Sequence, residues 1–241
     1  MIEAIFFDFG GTLFDFFPST PSIWSKVLQK HGYDFSDDNP KLIEAIARQN
    51  DAFDLDMQTI PGYSLNFTFD DWIKYDIITL KTLGISYNKD ILKNVTQAFK
   101  ERFAQYKIFP SVPETLTQLK DFGYKLGILS NCGEKMAESR RPILKAHKIL
   151  QLFDSIILSA EVGCRKPEPK IFEIALESLN LNADSVIYIG DFIYTDILGP
   201  KKVGMIPIFF DPLNARKFEG YRFSDYKELP DLIHKIHQEC F

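Results

Sequence analysis

The second half of the chain alternates between short apolar runs and longer stretches with helical periodicity. The apolar runs lie at 126–129, 155–158, 186–189 and 206–210, and candidate helices at 115–122, 134–147, 170–179 and 195–203 separate them. Apolar residues in unbroken succession, instead of on alternate positions, mark strands buried on both faces. Strands of that kind joined through helices form a doubly wound parallel sheet, so the spacing predicts an α/β fold. A further apolar run at 2–7 joins the same sheet, although nearly a hundred residues without another strand separate it from the rest.

That intervening block reads as helices throughout. Thr20-Pro21-Ser22 opens the first, with a capping residue and proline at the first turn. Leu42, Ile46 and Phe53 mark a second. Asp70 caps a third, in which Ile73, Ile77 and Leu80 form a stripe ended by Gly84. Asn88 begins a fourth, with Ile91, Leu92, Val95, Phe99 and Phe103 on one side. Four helices in succession predict a small bundle inserted into the α/β core. The expected division is a core of residues 1–15 and 110–241 and a helical domain of 16–109, hinged at the proline-containing stretches 14–18 and 108–113.

Composition narrows the function. With 45% hydrophobic residues in 241, the chain is long enough for a large core. Its net charge of −5 lacks the basic footprint of a nucleic-acid binder. Cys132, Cys164 and Cys240 are odd in number and far apart, as expected of reduced thiols in a cytoplasmic protein. The amino-terminal run is short and carries Glu3 and Asp8, so neither a signal peptide nor a membrane span is expected. A monomer or a homodimer fits equally well.

Chemistry gathers at the strand ends. Ile5-Phe6-Phe7 runs directly into Asp8, and burying a charged group there costs several kcal/mol unless it is paired or bound to a metal. Ser130-Asn131 follows the run at 126–129. Lys166, between Arg165 and Pro167, follows the run at 155–158. Gly190-Asp191, with Asp196 five residues on, follows the run at 186–189. Ligand sites of open α/β sheets lie at the carboxyl ends of the strands, so these groups converge. Together they suit phosphoryl transfer. An aspartate attacks phosphorus, and a divalent cation separates it from the substrate's charge. Magnesium accepts a few carboxylate oxygens, here from Asp8 and Asp191. Ser130, backbone amides and Lys166 supply the fixed donors that phosphoryl oxygens need.

In this order the four segments resemble the motifs of the haloacid dehalogenase-like hydrolase superfamily. The first motif, DxDGT, corresponds to Asp8-Phe9-Gly10-Gly11-Thr12; the second, an apolar strand ending in Ser or Thr, to Ser130. The third, G-x-x-K-P-x-P, corresponds to Gly163 through Pro169, and the fourth, GDxxxxD, to Gly190-Asp191 through Asp196. The resemblance implies a Rossmann-like core with an inserted α-helical cap, and magnesium-dependent (Mg2+) hydrolysis of a small phosphorylated metabolite. It further implies that Asp8 is the nucleophile and that Ser130 and Lys166 act with it. Gly11, Thr12 and Asn131 join them around the phosphate. Asp8, Asp191 and the carbonyl of Gly10 would hold the metal, with Asp196 supporting from behind.

The chain departs from the pattern at Gly10. Family phosphatases carry there a second aspartate that protonates the leaving group, a contribution typically worth ~10²–10⁴ in rate. Two other readings therefore stand beside the phosphatase. One is a weakly active or non-catalytic protein that binds a metal and a phosphate ligand. The other is a 2-haloacid dehalogenase, whose leaving group needs no proton but whose family members lack the Gly-Asp metal motif.

Other features have plainer expectations. Asp15 reads as a turn cap. The aromatics of the inserted block, Tyr33, Phe53, Tyr63, Phe67, Phe69, Trp72 and Tyr75 among them, belong to a bundle core, whereas Phe16, Phe17 and Trp24 are expected to face the cleft. Arg48, Lys74, Lys81, Arg140-Arg141 and Lys201-Lys202 read as solvated helix faces. His31, His147, His234 and His237 lack metal-ligand spacing.

Overall fold

Phe7 pairs in register with Ile128 on one side and with Ile189 on the other, which places the first strand between two that come much later in the chain. The computed structural model describes residues 1–60, 70–102 and 105–240. Its strands are β1 (Ala4–Phe7), β2 (Phe14–Phe16), β3 (Tyr106–Ile108), β4 (Lys125–Ser130), β5 (Ser155–Leu158), β6 (Val186–Gly190), β7 (Ile206–Phe210) and β8 (Arg222–Phe223). Six of them make one parallel sheet in the order β5-β4-β1-β6-β7-β8. The chain leaves β1 for β4 on one side and later returns to β6 on the other. The carboxyl end of β1 is therefore a topological switch point. Ala4, Ile5, Phe6 and Phe7 are fully buried. Each of the two phenylalanines contributes about 1.5–3 kcal/mol relative to an exposed side chain.

A short strand adjoins each proline-containing connection: β2 opens the first, and β3 ends where the second begins. β2 and β3 pair as a separate ribbon, and the Phe17 amide donates to the Gln105 carbonyl at 2.9 Å. Sequence periodicity does not register strands this short.

Four helices, α1 (Thr20–Lys30), α2 (Pro40–Thr59), α3 (Ile73–Thr82) and α4 (Lys89–Arg102), form the helical block. Ser19, not Thr20, caps α1, its hydroxyl accepting the Ser22 amide at 3.4 Å. Asn88 caps α4 by accepting the amides of Asp90 and Ile91. A one-turn 3₁₀ segment, Asp70–Trp72, precedes α3, so that helix begins at Ile73. The apolar stripes meet in one cluster that includes Trp24, Leu28, Leu42, Ile46, Leu80, Ile91 and Leu92. Trp24 is wholly buried there and is not a cleft residue. Its indole lies on the same apolar stripe as Ile23, Val27 and Leu28, and burying that stripe takes it inward. Tyr63, Phe67, Phe69 and Phe103 lie outside the described residues.

The chain divides into two compact units. One comprises Met1–Phe14, Ile108–Pro212 and Phe218–Phe241; the other comprises Asp15–Lys107 and Leu213–Lys217. The five-residue strap after β7 thus belongs with the helices. Leu213 packs against their apolar cluster, and Arg216 reaches Asp51 at 2.7 Å and Asp54 at 2.5 Å on α2.

The core unit adds α5 (Val112–Asp121), α6 (Glu134–Ala146), α7 (Ser159–Val162), α8 (Pro169–Leu179), α9 (Gly199–Val203) and α10 (Leu229–Cys240). The helix expected at 195–203 is divided: a π-helical turn at Ile193–Leu198 leads into α9. Such wide turns recur where a side chain must be re-aimed, and this one contains Asp196. Among the described residues, no helix is long and apolar enough to cross a membrane.

Candidate active site

Asp8 stands directly past β1, with its amide held by the Ile189 carbonyl at 2.8 Å, and it is 8% exposed. Lys166 lies on the turn between α7 and α8 and is 2% exposed. The two ends of the Asn131 side chain grip its main chain. Asn131 Nδ2 donates to the Lys166 carbonyl at 2.9 Å, and Asn131 Oδ1 accepts the Lys166 amide at 2.8 Å. Held in this way, the ammonium donates to Asp8 Oδ1 at 2.8 Å, to Asp196 Oδ1 at 2.6 Å and to the Tyr188 hydroxyl at 2.7 Å. Burial opposes its charge, but Asp196 and Asp8 outweigh burial and hold the lysine pKa well above its usual value.

Asp191 follows β6. The Thr12 hydroxyl donates to its Oδ1 at 3.1 Å, and the Tyr226 hydroxyl in turn donates to the Thr12 carbonyl at 3.0 Å. Two glycines let these groups approach. A Cβ on Gly11, whose φ is +82°, would lie 2.2 Å from Asp191 Oδ2; one on Gly190 would lie 2.4 Å from the Asp196 Cβ. Both positions therefore require glycine for contact, and the first also for its dihedral. Asp196 Oδ2 accepts the Phe192 amide at 3.0 Å, so both oxygens of that carboxylate are engaged within the protein.

Among the described residues, ligand oxygens of Asp8, Asp191 and Asp196 lie within 4.8 Å of one another. Three carboxylates against the one ammonium of Lys166 leave a formal excess of two negative charges. Burial, followed by the charges of Asp196 and Asp8, pushes the Asp191 pKa well above the usual carboxylate range. Burial likewise pushes Asp196 up to about 6, against the pull of Lys166. This donor set fits a divalent cation, a hard ion that takes carboxylate oxygens and cancels that excess.

Of the remaining sequence candidates, Ser130 ends β4 and is 2% exposed. Gly10 is half-buried in the turn after Asp8, bridged through its main chain to Phe14. The Gly11 amide donates to the Phe14 carbonyl at 2.7 Å. Asp15 lies in β2, its pKa raised by burial in spite of the nearby Arg102 charge.

Three residues of this neighbourhood were not singled out by motif. Tyr188 and Tyr226 carry the hydroxyls described above. A tyrosine in the run Val186-Ile187-Tyr188-Ile189 is a polar group in a fully buried strand, and that was the signal available. Arg140, expected on a solvated face, is 2% exposed, with its guanidinium 3.9 Å from the Phe9 ring centre. Only Arg141 of that pair stays near the surface, where it meets Glu161.

Comparison with known proteins gives one answer at several levels. Residues 65–210 match the family model for haloacid dehalogenase-like hydrolases. A glyceraldehyde 3-phosphate phosphatase of Pyrococcus furiosus is 30% identical over 254 aligned positions, covering 99% of this chain and 94% of that protein. An (S)-2-haloacid dehalogenase 4A of Burkholderia cepacia is also 30% identical, but over only 52% of this chain and 51% of its own. Among solved structures, a HAD phosphatase from Thermococcus onnurineus superposes with TM-score 0.55 at 24% identity, covering 96% of this chain and 98% of its own. A magnesium-bound putative HAD-hydrolase of Bacillus subtilis gives 0.59 at 18% identity, with the same two coverages.

Proposed function

The chain belongs to the haloacid dehalogenase-like hydrolase family and is a phosphatase, and we propose that it cleaves small phosphate monoesters by attack of Asp8 on phosphorus. The observation that carries this reading is the buried contact of Lys166 with Asp8 beside Asp191, in a cluster whose charge is short by one divalent cation.

In the first step a carboxylate oxygen of Asp8 bonds to phosphorus and the ester oxygen leaves, giving an acyl phosphate. In the second, water attacks the same phosphorus and the Asp8 carboxylate departs. Dividing one displacement into two lowers each barrier. Lys166 fixes the rotamer of Asp8 and balances its charge, and Asp196 and Tyr188 hold Lys166 in turn. The Ser130 hydroxyl, at the end of the adjacent strand, is the donor for a phosphoryl oxygen. Asp8, Asp191 and the Gly10 carbonyl would hold magnesium, which supplies neutralisation of the charge brought together on binding and transfer. Position 10 carries no side chain, so it offers no proton to the departing oxygen.

The test is phosphate release from a panel of monoesters with magnesium present, in wild type and in Asp8→Asn. Loss of release in the variant is expected, and in wild type a phosphorylated Asp8 trapped by rapid acid quench. Unchanged release from Asp8→Asn would reject this nucleophile. Halide release from 2-haloacids without metal would move the chain to the dehalogenase chemistry.

A further inference from the structure

Tyr226 is held by its main chain and by its ring. It opens a 3₁₀ turn, Tyr226–Glu228, that leads into α10. A capping box fixes that turn: Asp225 Oδ1 accepts the Lys227 amide at 3.0 Å, and the Asp225 amide donates to Glu228 Oε1 at 3.2 Å. The Thr115 hydroxyl on α5 donates to the Tyr226 carbonyl at 3.1 Å. The ring meets Phe210 at 5.1 Å and Phe223 at 5.3 Å, both edge-on. So anchored, the tyrosine aims its hydroxyl at the Thr12 carbonyl, 3.0 Å away. A carbonyl has no hydrogen to give, so the tyrosine is the donor. Among the described residues no other group donates to that carbonyl. The Thr12 hydroxyl in turn donates to Asp191 Oδ1 at 3.1 Å, and Asp191 Oδ2 accepts no hydrogen bond among the described residues. Thr12 is 0% and Tyr226 1% exposed, and water does not compete for these bonds.

We propose that Tyr226 is a positioning residue for the metal site: its hydroxyl fixes the Thr12 peptide, and with it the Thr12 hydroxyl that sets the direction of the Asp191 carboxylate. The proposal rests on the reading of Asp191 as a magnesium ligand. Threonine is stiff at χ1, so the Thr12 hydroxyl follows its main chain. Without the tyrosine hydroxyl, the buried Thr12 carbonyl has no donor, and its peptide turns in search of one. The Thr12 hydroxyl then leaves Asp191 Oδ1, and the carboxylate is free to rotate away from its partners. Groups that hold a metal ligand from behind are worth about 10–100-fold in metal affinity. Tyr226 acts one bond further back, through Thr12.

The experiment is magnesium titration calorimetry on wild type, Tyr226→Phe, Thr12→Val, the double variant, Phe223→Leu and Asp191→Asn. Tyr226→Phe and Thr12→Val are each expected to raise the magnesium dissociation constant about tenfold. The double variant is expected to lie within about twofold of Thr12→Val, because the two groups act in series. Phe223→Leu disturbs the packing of the tyrosine ring but keeps the hydroxyl. It is expected to lose thermal stability and to keep its magnesium affinity within about twofold. A Tyr226→Phe dissociation constant within about twofold of wild type overturns the proposal. So do losses that multiply in the double variant, or an equal loss in Phe223→Leu. Should Tyr226→Phe not fold, 4-fluorophenylalanine at position 226 fills the space of the hydroxyl without donating a hydrogen, and is judged by the same readouts. Wild-type affinity in Asp191→Asn would reject the ligand, and the proposal with it. Lost affinity in Asp191→Asn with none lost in Tyr226→Phe would reject the role of Tyr226 alone.

Discussion

Lys166 donates to Asp196 across 2.6 Å, and each side chain of the pair is 2% exposed. The same ammonium reaches Asp8 at 2.8 Å. Removing it leaves buried carboxylates facing one another with nothing between them. Breaking a buried pair by deleting one partner costs about 3–5 kcal/mol. Lys166→Met keeps most of the apolar stem but removes the ammonium, and is expected to lose stability on that scale in urea unfolding, together with phosphate release. A variant of unchanged stability would mean that the carboxylates are neutralised by other means.

Position 10 offers a gain-of-function test. Gly10→Asp places an acid two residues after Asp8, the proposed nucleophile. Alkyl phosphates need a proton on the departing oxygen, whereas nitrophenyl phosphate does not. The variant is expected to raise kcat/KM on an alkyl ester by as much as ~10²–10⁴ and to change nitrophenyl phosphate little. Equal gains on both substrates would show that proton supply is not what this position lacks.

Gly11 and Gly32 separate backbone strain from steric intrusion. Their φ values are +82° and +83°, but a Cβ on Gly11 would lie 2.2 Å from Asp191 Oδ2, and one on Gly32 meets nothing within 4 Å. Each alanine substitution costs about 1–2 kcal/mol for the left-handed conformation. Gly11→Ala must also displace the Asp191 carboxylate. It is expected to weaken magnesium binding at least about tenfold, the usual range for a displaced ligand sphere. Gly32→Ala is expected to leave magnesium binding intact. Titration calorimetry with magnesium on both variants distinguishes the two effects.

The helical unit holds a buried acid of its own. Asp76 is 0% exposed; Gln49 donates to its Oδ1 at 2.8 Å, and its Oδ2 has no partner among the described residues. Burial pushes its pKa to about 8, against the lowering effect of Gln49. The folded value lies above the unfolded one of 3.8. The stability this carboxyl contributes is therefore complete below about pH 4, declines by about 1.4 kcal/mol per pH unit and is gone above about pH 8. Urea midpoints at pH 5, 7 and 9 should fall for wild type and stay more nearly level for Asp76→Asn. Parallel curves would show that Asp76 is ionised throughout.

The strand ends were legible because they are local events. An apolar run that stops at a carboxylate or a glycine can be read from a few consecutive residues, and the sheet then carries Asp8, Ser130 and Asp191 to the same edge. Tyr188 was harder to read, since a hydroxyl in a buried strand is a signal without a direction and its partners Lys166 and Leu129 lie far off in the chain. Arg140 and Trp24 misled for the opposite reason. One is a charge drawn inward onto the Phe9 ring, and the other is an aromatic near a hinge that the bundle core claims. The ribbon of β2 and β3 escaped because strands of three residues are shorter than any periodicity that would announce them.

Leu213–Lys217 changes what the helical block is as a piece of protein architecture. A simple insertion could be excised at β2 and β3 and the ends rejoined, or exchanged for a different module, without alteration elsewhere. Here that surgery would strip Leu213 of its apolar neighbours and strand the Arg216 guanidinium without Asp51 and Asp54. Any transplant of residues 15–107 must therefore carry Leu213–Lys217 along with it.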